Sequence, residues 1–361
     1  MEQIFNLDGI LGKNLNDIHC NYYILKKDKE TYTSNINFFK EEIFQSNSLY
    51  LNLFIQRVFK GEMDIFHYLQ SKFFLDVNQN KYYINAGLGA ESIMSVSQFS
   101  NFIDNEINDD SKASRQDIIK FMYFREIQAL LADFEKLVIQ VEELTYVFYE
   151  KLNSPQIFQS NEIKEGLTTV YSIESRFINS ILENIIIKAT SILDYLSKFV
   201  FEVENIPKSF DIYPKRKSFD YDHGKTKFDQ KNDNLKINWT KEARLNTIFD
   251  ENNEKIFILK RLRNQLIHDG FLDVDNCIYE NRVDGILKER FILMPDFDGK
   301  DLTKYKSRKL FYSQDRKINL ELPILIEELL SSTYQTLNVL FKKYWFGDMS
   351  DSFSLTLNID K

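Results

Sequence analysis

Between Ala113 and Leu152, and again between Tyr171 and Glu204, apolar residues recur at every third or fourth position, which is the period of one helix face. In the first stretch Ile127, Leu130, Leu131, Phe134, Leu137, Val138, Val141, Leu144 and Phe148 make a one-sided seam. In the second, Ile178, Ile181, Ile185, Ala189, Ile192, Leu196 and Val203 share a face, while Ile187, Thr190, Asp194 and Phe201 lie on the far side. A helix with apolar residues on two faces is packed on both. Asn153-Ser154-Pro155 ends the first helix, because proline lacks the N–H that the next turn needs. Only 11 Gly and 5 Pro interrupt 361 residues, so long helices with short connections are expected. A final helix is expected over Leu322–Phe346. Another starts near Trp239-Thr240, with Thr240 as its N-cap.

The chemistry concentrates in KIFILKRLRNQLIHDGF. Ile256, Leu259, Leu262 and Leu266 keep helical spacing, Gly270 suits a helix stop, and Arg263, Asn264 and His268 ride on the last turns. Asn264 and His268, four apart, share a face. Arg263 lies about 140° from His268 at roughly 100° per residue, within reach of its long side chain. Guanidinium suits phosphate, and imidazole exchanges protons near neutral pH. That inventory fits metal-independent RNA cleavage, in which a base activates the ribose 2′-OH, a cation steadies the phosphorane and an acid protonates the leaving oxygen. One histidine is thin for both proton transfers, which favours a site shared across a two-fold dimer.

RNQLIH at residues 263–268 resembles the R-x(4–6)-H signature of the HEPN superfamily, and Asn264 matches the polar residue that often follows its arginine. The resemblance covers roughly residues 165–347. It implies a mainly α chain with an antiparallel helical bundle in that half, and a metal-independent endoribonuclease acting as a homodimer in a toxin–antitoxin or phage-defence setting. It also implies catalytic roles for Arg263, Asn264 and His268, with Asp194 holding the arginine. RNA, either tRNA or mRNA, and an antitoxin or other defence protein are the implied partners. The other class open to such a fold is a non-catalytic module binding a nucleotide or a protein.

Outside that half, residues 1–110 read as an aromatic-rich, mostly helical region, with 9 Lys+Arg against 15 Asp+Glu. Leu51–Phe59 and Phe66–Phe74 look helical, and Lys81–Asn85 looks like a short strand. Gly87-Leu88-Gly89-Ala90 reads as a turn, since it lacks the rest of any phosphate-loop pattern. Residues 111–164 form a connecting helix, and 348–361 a loose tail. Pro207–Asn238 interleaves Lys215, Arg216, Lys217, Lys225, Lys227 and Lys231 with Phe210, Tyr213, Phe219, Tyr221 and Phe228, a mixture of cations and stacking rings suited to single-stranded RNA. His223 in this loop offers a second imidazole. The most basic window is 300–317, where Lys304, Lys306, Arg308 and Lys309 stand out as RNA contacts. Short strands at Phe291–Met294 and Leu310–Tyr312 are expected to make a small β-hairpin around it.

A net charge of −8 argues against indiscriminate coating of nucleic acid. Cys20 and Cys277 have no cysteine or histidine at metal spacing, so two free thiols in a reducing compartment and no metal site are expected. The start MEQIFNLDGILGKN lacks a signal-peptide pattern, and no apolar run is long enough to span a bilayer. Cytoplasmic residence, no membrane and no cofactor are the expectations.

Overall fold

The computed structural model describes residues 2–7, 22–26, 31–34, 95–106, 114–154, 165–216, 218 and 239–345. The expectations placed at 51–59, 66–74, 81–85, 87–90, Lys217, His223 and the tail lie outside these residues, as do Lys225, Lys227, Lys231 and Cys20. The described chain is mainly α, with short antiparallel sheets. It forms two compact units, each assembled from three separate stretches. The first comprises 1–40, 135–193 and 246–333; the second comprises 41–134, 194–245 and 334–361.

In the first unit, β1 (Glu2–Asn6), β2 (Tyr22–Lys26) and β3 (Thr31–Ser34) form an antiparallel sheet in sequence order. The N-terminal region was expected to be mostly helical. Ile4, Phe5, Tyr22, Tyr23, Ile24 and Tyr32 are the β-branched and aromatic types that fit a pleated surface. Among the described residues of that region helix appears only near its end, in the second unit: α1 (Val96–Asn101) and the π-turn Phe102–Glu106.

The long helices fall close to their expected bounds: α2 is Arg115–Asn153 and α3 is Ile173–Glu204. Residues 135–153 of α2 and 173–193 of α3 belong to the first unit, and their Val141, Phe148, Leu152, Ile178, Ile185, Ile186 and Ile192 are buried in it. Thr190 is buried as well, and in the second unit so is Phe201, as packing on two faces requires.

Between the α2 and α3 stretches comes β4 (Gly166–Val170), which pairs with β5 (Ile278–Val283), itself paired with β6 (Ile286–Phe291). The hairpin therefore precedes the expected position around residues 295–309. Its two-residue turn is Asp284-Gly285, both at positive φ (54° and 73°), the backbone that the twist of a tight hairpin demands. The Glu165 carboxylate accepts both turn amides, at 2.7 and 3.0 Å. Register places Glu280 opposite Arg290, and the two form a buried ion pair at 2.7 Å. Arg290 also donates to the carbonyls of Leu152 and Ser154 at 3.2 and 3.1 Å. It thus closes the C-terminal end of α2, where intrahelical donors run out.

The last helix runs Ile318–Trp345 (β7, Phe297–Asp298, and β8, Asp301–Leu302, precede it as a two-stranded ladder) and contains Pro323. Proline offers no N–H to the carbonyl four residues back, which here belongs to Asn319. The Tyr149 hydroxyl donates to that carbonyl at 2.5 Å instead. The Asn319 side chain accepts from Ile292 N at 3.1 Å and donates to Leu7 O at 2.6 Å. One buried asparagine thus ties together the N-terminal sheet, the residue after β6 and the last helix.

In the second unit, residues 115–134 of α2 bury Ile118, Ile119, Phe121, Tyr123, Ile127 and Phe134, and α3 contributes Leu196, Val200 and Phe201. Ser95 and Gln98 exchange side-chain bonds with each other's backbone N–H at the start of α1, a capping box. Tyr123 donates to Glu202 at 2.8 Å, and Ser218 N donates to the same carboxylate at 2.9 Å. A four-residue helix, α4 (Lys241–Arg244), starts at the expected N-cap, Thr240, which accepts from Ala243 N.

Candidate active site

The motif lies wholly in the first unit. Asn253 caps α5 (Glu254–Asn264) by accepting from Ile256 N at 3.2 Å, and Ile256, Ile258, Leu259 and Leu262 are buried beneath it. The helix then widens into a π-turn over Gln265–Asp269 and stops at Gly270, whose φ of 106° suits glycine. The expected continuous α-helix is therefore corrected at its C-terminal end. Bonds from i to i+5 replace those from i to i+4, and turns of this kind occur often at functional sites. Because Arg263 stands in the α-helix and His268 in the π-turn after it, the 140° separation of a continuous α-helix does not apply. At the start of this turn Gln265 is 5% exposed, whereas Leu266, expected in the apolar seam, is only half-buried.

Arg263 is half-buried and donates through Nη1 to the Asn264 Oδ1 at 3.1 Å. Arginine and asparagine are thus joined as one polar group. His268 is exposed on the last turn, and the next residue, Asp269, pairs with Lys309 at 2.5 Å. That bond ties the end of the motif to the basic window. Asp194 is half-buried on α3 in the second unit, while Arg263 belongs to the first.

The basic window is held from beneath by Asp296, which is buried. Its carboxylate accepts from Ser313 N at 2.7 Å, Ser313 Oγ at 2.6 Å and Gln314 N at 2.9 Å. Burial pushes the Asp296 carboxyl up, but these bonds and nearby Arg316 outweigh it and hold the group below its ordinary value. From this base, Tyr305 and Arg308 exchange backbone bonds at 2.9 and 3.0 Å around a tight turn. Lys304, Lys306 and Arg308 stand exposed on it. Lys306 lies 5.6 Å from the Tyr305 ring and Arg308 lies 5.0 Å from that of Phe311, the interleaving of cation and ring that single-stranded nucleic acid uses.

The other basic stretch belongs to the second unit. Lys215 is exposed there, but Arg216 forms an ion pair at 2.6 Å with buried Glu126, which also accepts from Tyr213. Burial raises the Glu126 carboxyl above its ordinary range, with Arg216 and Tyr213 opposing. Arg216 is thus engaged in the fold of its own unit.

Next to the motif a cleft of about 540 Å³ is lined by Gln265, Asp269, Asp273, Val274, Ser307, Arg308, Lys309, Leu310 and Tyr312. Gln265 is the third residue of the hexapeptide, and nothing in the sequence beyond its place inside the motif singles it out. Cys277 donates to Asp273 at 3.3 Å, and burial raises its thiol pKa. Among the described residues no three or more His, Cys, Asp or Glu side chains are grouped to hold a metal ion, and no helix is long and apolar enough to cross a membrane. Comparison with models of known families, with curated proteins and with solved structures returns no match.

Proposed function

We propose that this chain is a metal-independent endoribonuclease of HEPN type, working in the cytoplasm as a homodimer within a toxin–antitoxin or phage-defence system. The observation that carries the reading is the end of α5. There a joined Arg263–Asn264 pair ends the α-helix and an exposed imidazole follows in the widened turn, tied through Asp269 to a loop of exposed cations. In the proposed reaction His268 takes the proton of a ribose 2′-OH, and the freed oxygen attacks the adjacent phosphorus. Arg263, steadied by Asn264, stabilises the charge of the phosphorane. The bond to the 5′-oxygen breaks as that oxygen receives a proton, leaving a 2′,3′-cyclic phosphate and a 5′-hydroxyl. A second copy of the chain supplies the second imidazole. Lys304, Lys306, Arg308 and Lys309 guide the RNA electrostatically.

The test is cleavage of total RNA and of tRNA in the presence of EDTA. Wild type is expected to leave 2′,3′-cyclic ends, while His268→Ala and Arg263→Ala, still folded and dimeric, do not. Cleavage that survives His268→Ala, or that EDTA abolishes, refutes the mechanism.

A further inference from the structure

The turn that carries the exposed cations is built to hold its tip in place. Asp296 fixes both of its legs. The Asp296 carbonyl accepts from Thr303 N at 3.0 Å, its amide donates to Phe311 O at 2.6 Å, and its carboxylate takes the amides of Ser313 and Gln314. Between those legs Tyr305 and Arg308 bond to each other, so the chain reverses over Lys306 and Ser307 alone. Lys306 has a φ of 56°, a conformation that glycine or asparagine adopts at least cost in a two-residue turn. A lysine there costs stability, and strain of this kind is kept where a site needs it.

What the tip presents is cations around a ring. Lys304, Lys306, Arg308 and Lys309 fall in a stretch from 304 to 309 that contains no acidic residue. Lys309 is paired with Asp269, while Lys304, Lys306 and Arg308 are exposed. Tyr305 is 68% exposed, so a large apolar ring stands in water with Lys306 beside it at 5.6 Å. The Arg308 guanidinium lies 5.0 Å from the Phe311 ring and offers a second flat surface, since bases stack on guanidinium planes as they do on rings. Cations alone would fit any polyanion, an acidic peptide included. An exposed ring among them fits a polyanion that has flat faces between its charges, which is a nucleic acid. In a duplex those faces are already stacked on one another, so the partner is an unpaired strand.

We infer that this turn is a platform for an unpaired nucleic-acid strand, in which one base stacks on Tyr305 and Lys304, Lys306 and Arg308 follow the neighbouring phosphates. Presentation of that strand to His268 rests on the ribonuclease reading, whereas the stacking does not. RNA and DNA strands share the chemistry of a base between phosphates, and the sugar separates them in the test.

The experiment measures, by fluorescence anisotropy, the affinity of the full-length chain for a 2′-O-methyl oligouridine, which lacks the attacking hydroxyl. Oligothymidylate, an abasic strand, a blunt RNA duplex and polyglutamate of matched length are the comparison probes. Tyr305→Ala should weaken binding of the two base-bearing strands by roughly 5- to 150-fold, the worth of one stacked base, and leave the abasic strand and the duplex within about twofold. The salt dependence should stay as it is in that variant, because the ring carries no charge, whereas Lys306→Ala should make it shallower by about 0.7 in logarithmic slope. Tyr305→Phe and Tyr305→Trp should keep the affinity, and the exposed position leaves the core of the fold untouched in all three. Equal binding of the uridine and thymidine strands supports a platform open to either sugar; preference for the 2′-O-methyl strand supports RNA as its occupant. Binding unchanged in Tyr305→Ala, a Tyr305→Phe loss as large as that of Tyr305→Ala, polyglutamate held as tightly as the strands, or no strand binding at all overturns the platform. A Tyr305-dependent affinity without His268-dependent cleavage removes the nuclease reading and leaves the platform. His268-dependent cleavage with strand binding that ignores Tyr305 does the reverse.

Discussion

Replacing Arg290 with methionine removes one cation that serves three acceptors, Glu280 and the carbonyls of Leu152 and Ser154. Arg290 and Glu280 are 5% and 4% exposed at their side chains and meet at 2.7 Å. Breaking a buried pair by deleting one partner costs about 3–5 kcal/mol, because the other charge is left unpaired. Here Arg282 still reaches Glu280 at 2.9 Å, which lowers that term. The carbonyls of Leu152 and Ser154 lose their donor, which raises it by about 1–3 kcal/mol for a group that stays buried. The two corrections are opposite and similar, so about 3–5 kcal/mol stands, a large share of the roughly 5–15 kcal/mol that holds a domain together. Two compact units need not melt together, so the readout should be local, as native-state hydrogen exchange of the β5 and β6 amides. Their opening free energy should fall by that amount in Arg290→Met. The double variant Glu280→Leu/Arg290→Met should lose less than the two single variants added, by about 1–3 kcal/mol, as expected of groups in contact. A loss below about 1 kcal/mol for Arg290→Met, or strict additivity, refutes the reasoning.

Three further outcomes follow from the same unit. Tyr149→Phe should cost about 1–3 kcal/mol by orphaning the Asn319 carbonyl, and Pro323→Ala should shrink that cost by returning the missing N–H; thermal melts of the four combinations measure the coupling. Burial alone raises the Glu183 carboxyl above its ordinary 4.5. A raised folded-state pKa gives stability that is present below pH 4.5 and lost as pH rises through the folded value, so Glu183→Gln should match wild type at low pH and melt higher at neutral pH. Lys309→Ala breaks a pair whose side chains are 43% and 39% exposed, so stability should move by less than about 1 kcal/mol. Affinity for anionic probes should fall nonetheless, with a shallower dependence on salt.

What was legible in the sequence is what depends on periodicity alone. The seams at Ile127–Phe148 and Ile178–Val203 put α2 and α3 within two residues of their observed ends, because an apolar stripe has nowhere to go but a core. The hairpin was misplaced for a readable reason. Asp284-Gly285 between Val283 and Ile286 is a two-residue turn signal, but Phe291–Met294 looked more strongly apolar. Glu280 and Arg290 are buried as a pair because register places them opposite each other, and register is not written in the pattern of either strand alone. The bonds of Asn319 were not legible at all, since they join Leu7, Tyr149 and Ile292, partners that only the fold brings together.

Gln265 shows why the motif itself was only half readable. In an α-helix continued from Leu262, residues 265 and 266 stand three and four positions on and both flank the inward face, so spacing alone does not say which is buried. The structure buries the amide and leaves the leucine half-buried. Neither the amide nor the turn favours folding: the Gln265 side-chain oxygen has no hydrogen bond among the described residues, an unpaired acceptor is costly, and π-turns are rare in helices that lack a reason for them. Local propensity, burial and polar satisfaction agree along the rest of α5, and they disagree only within the residues that carry the arginine and the histidine. Disagreement confined to one turn is the pattern that a functional site leaves, and it supports the proposed reading of this turn. The π-turn begins just after Arg263 and Asn264, which end the α-helix, and holds His268, so substitutions at Arg263 and His268 test that reading most directly.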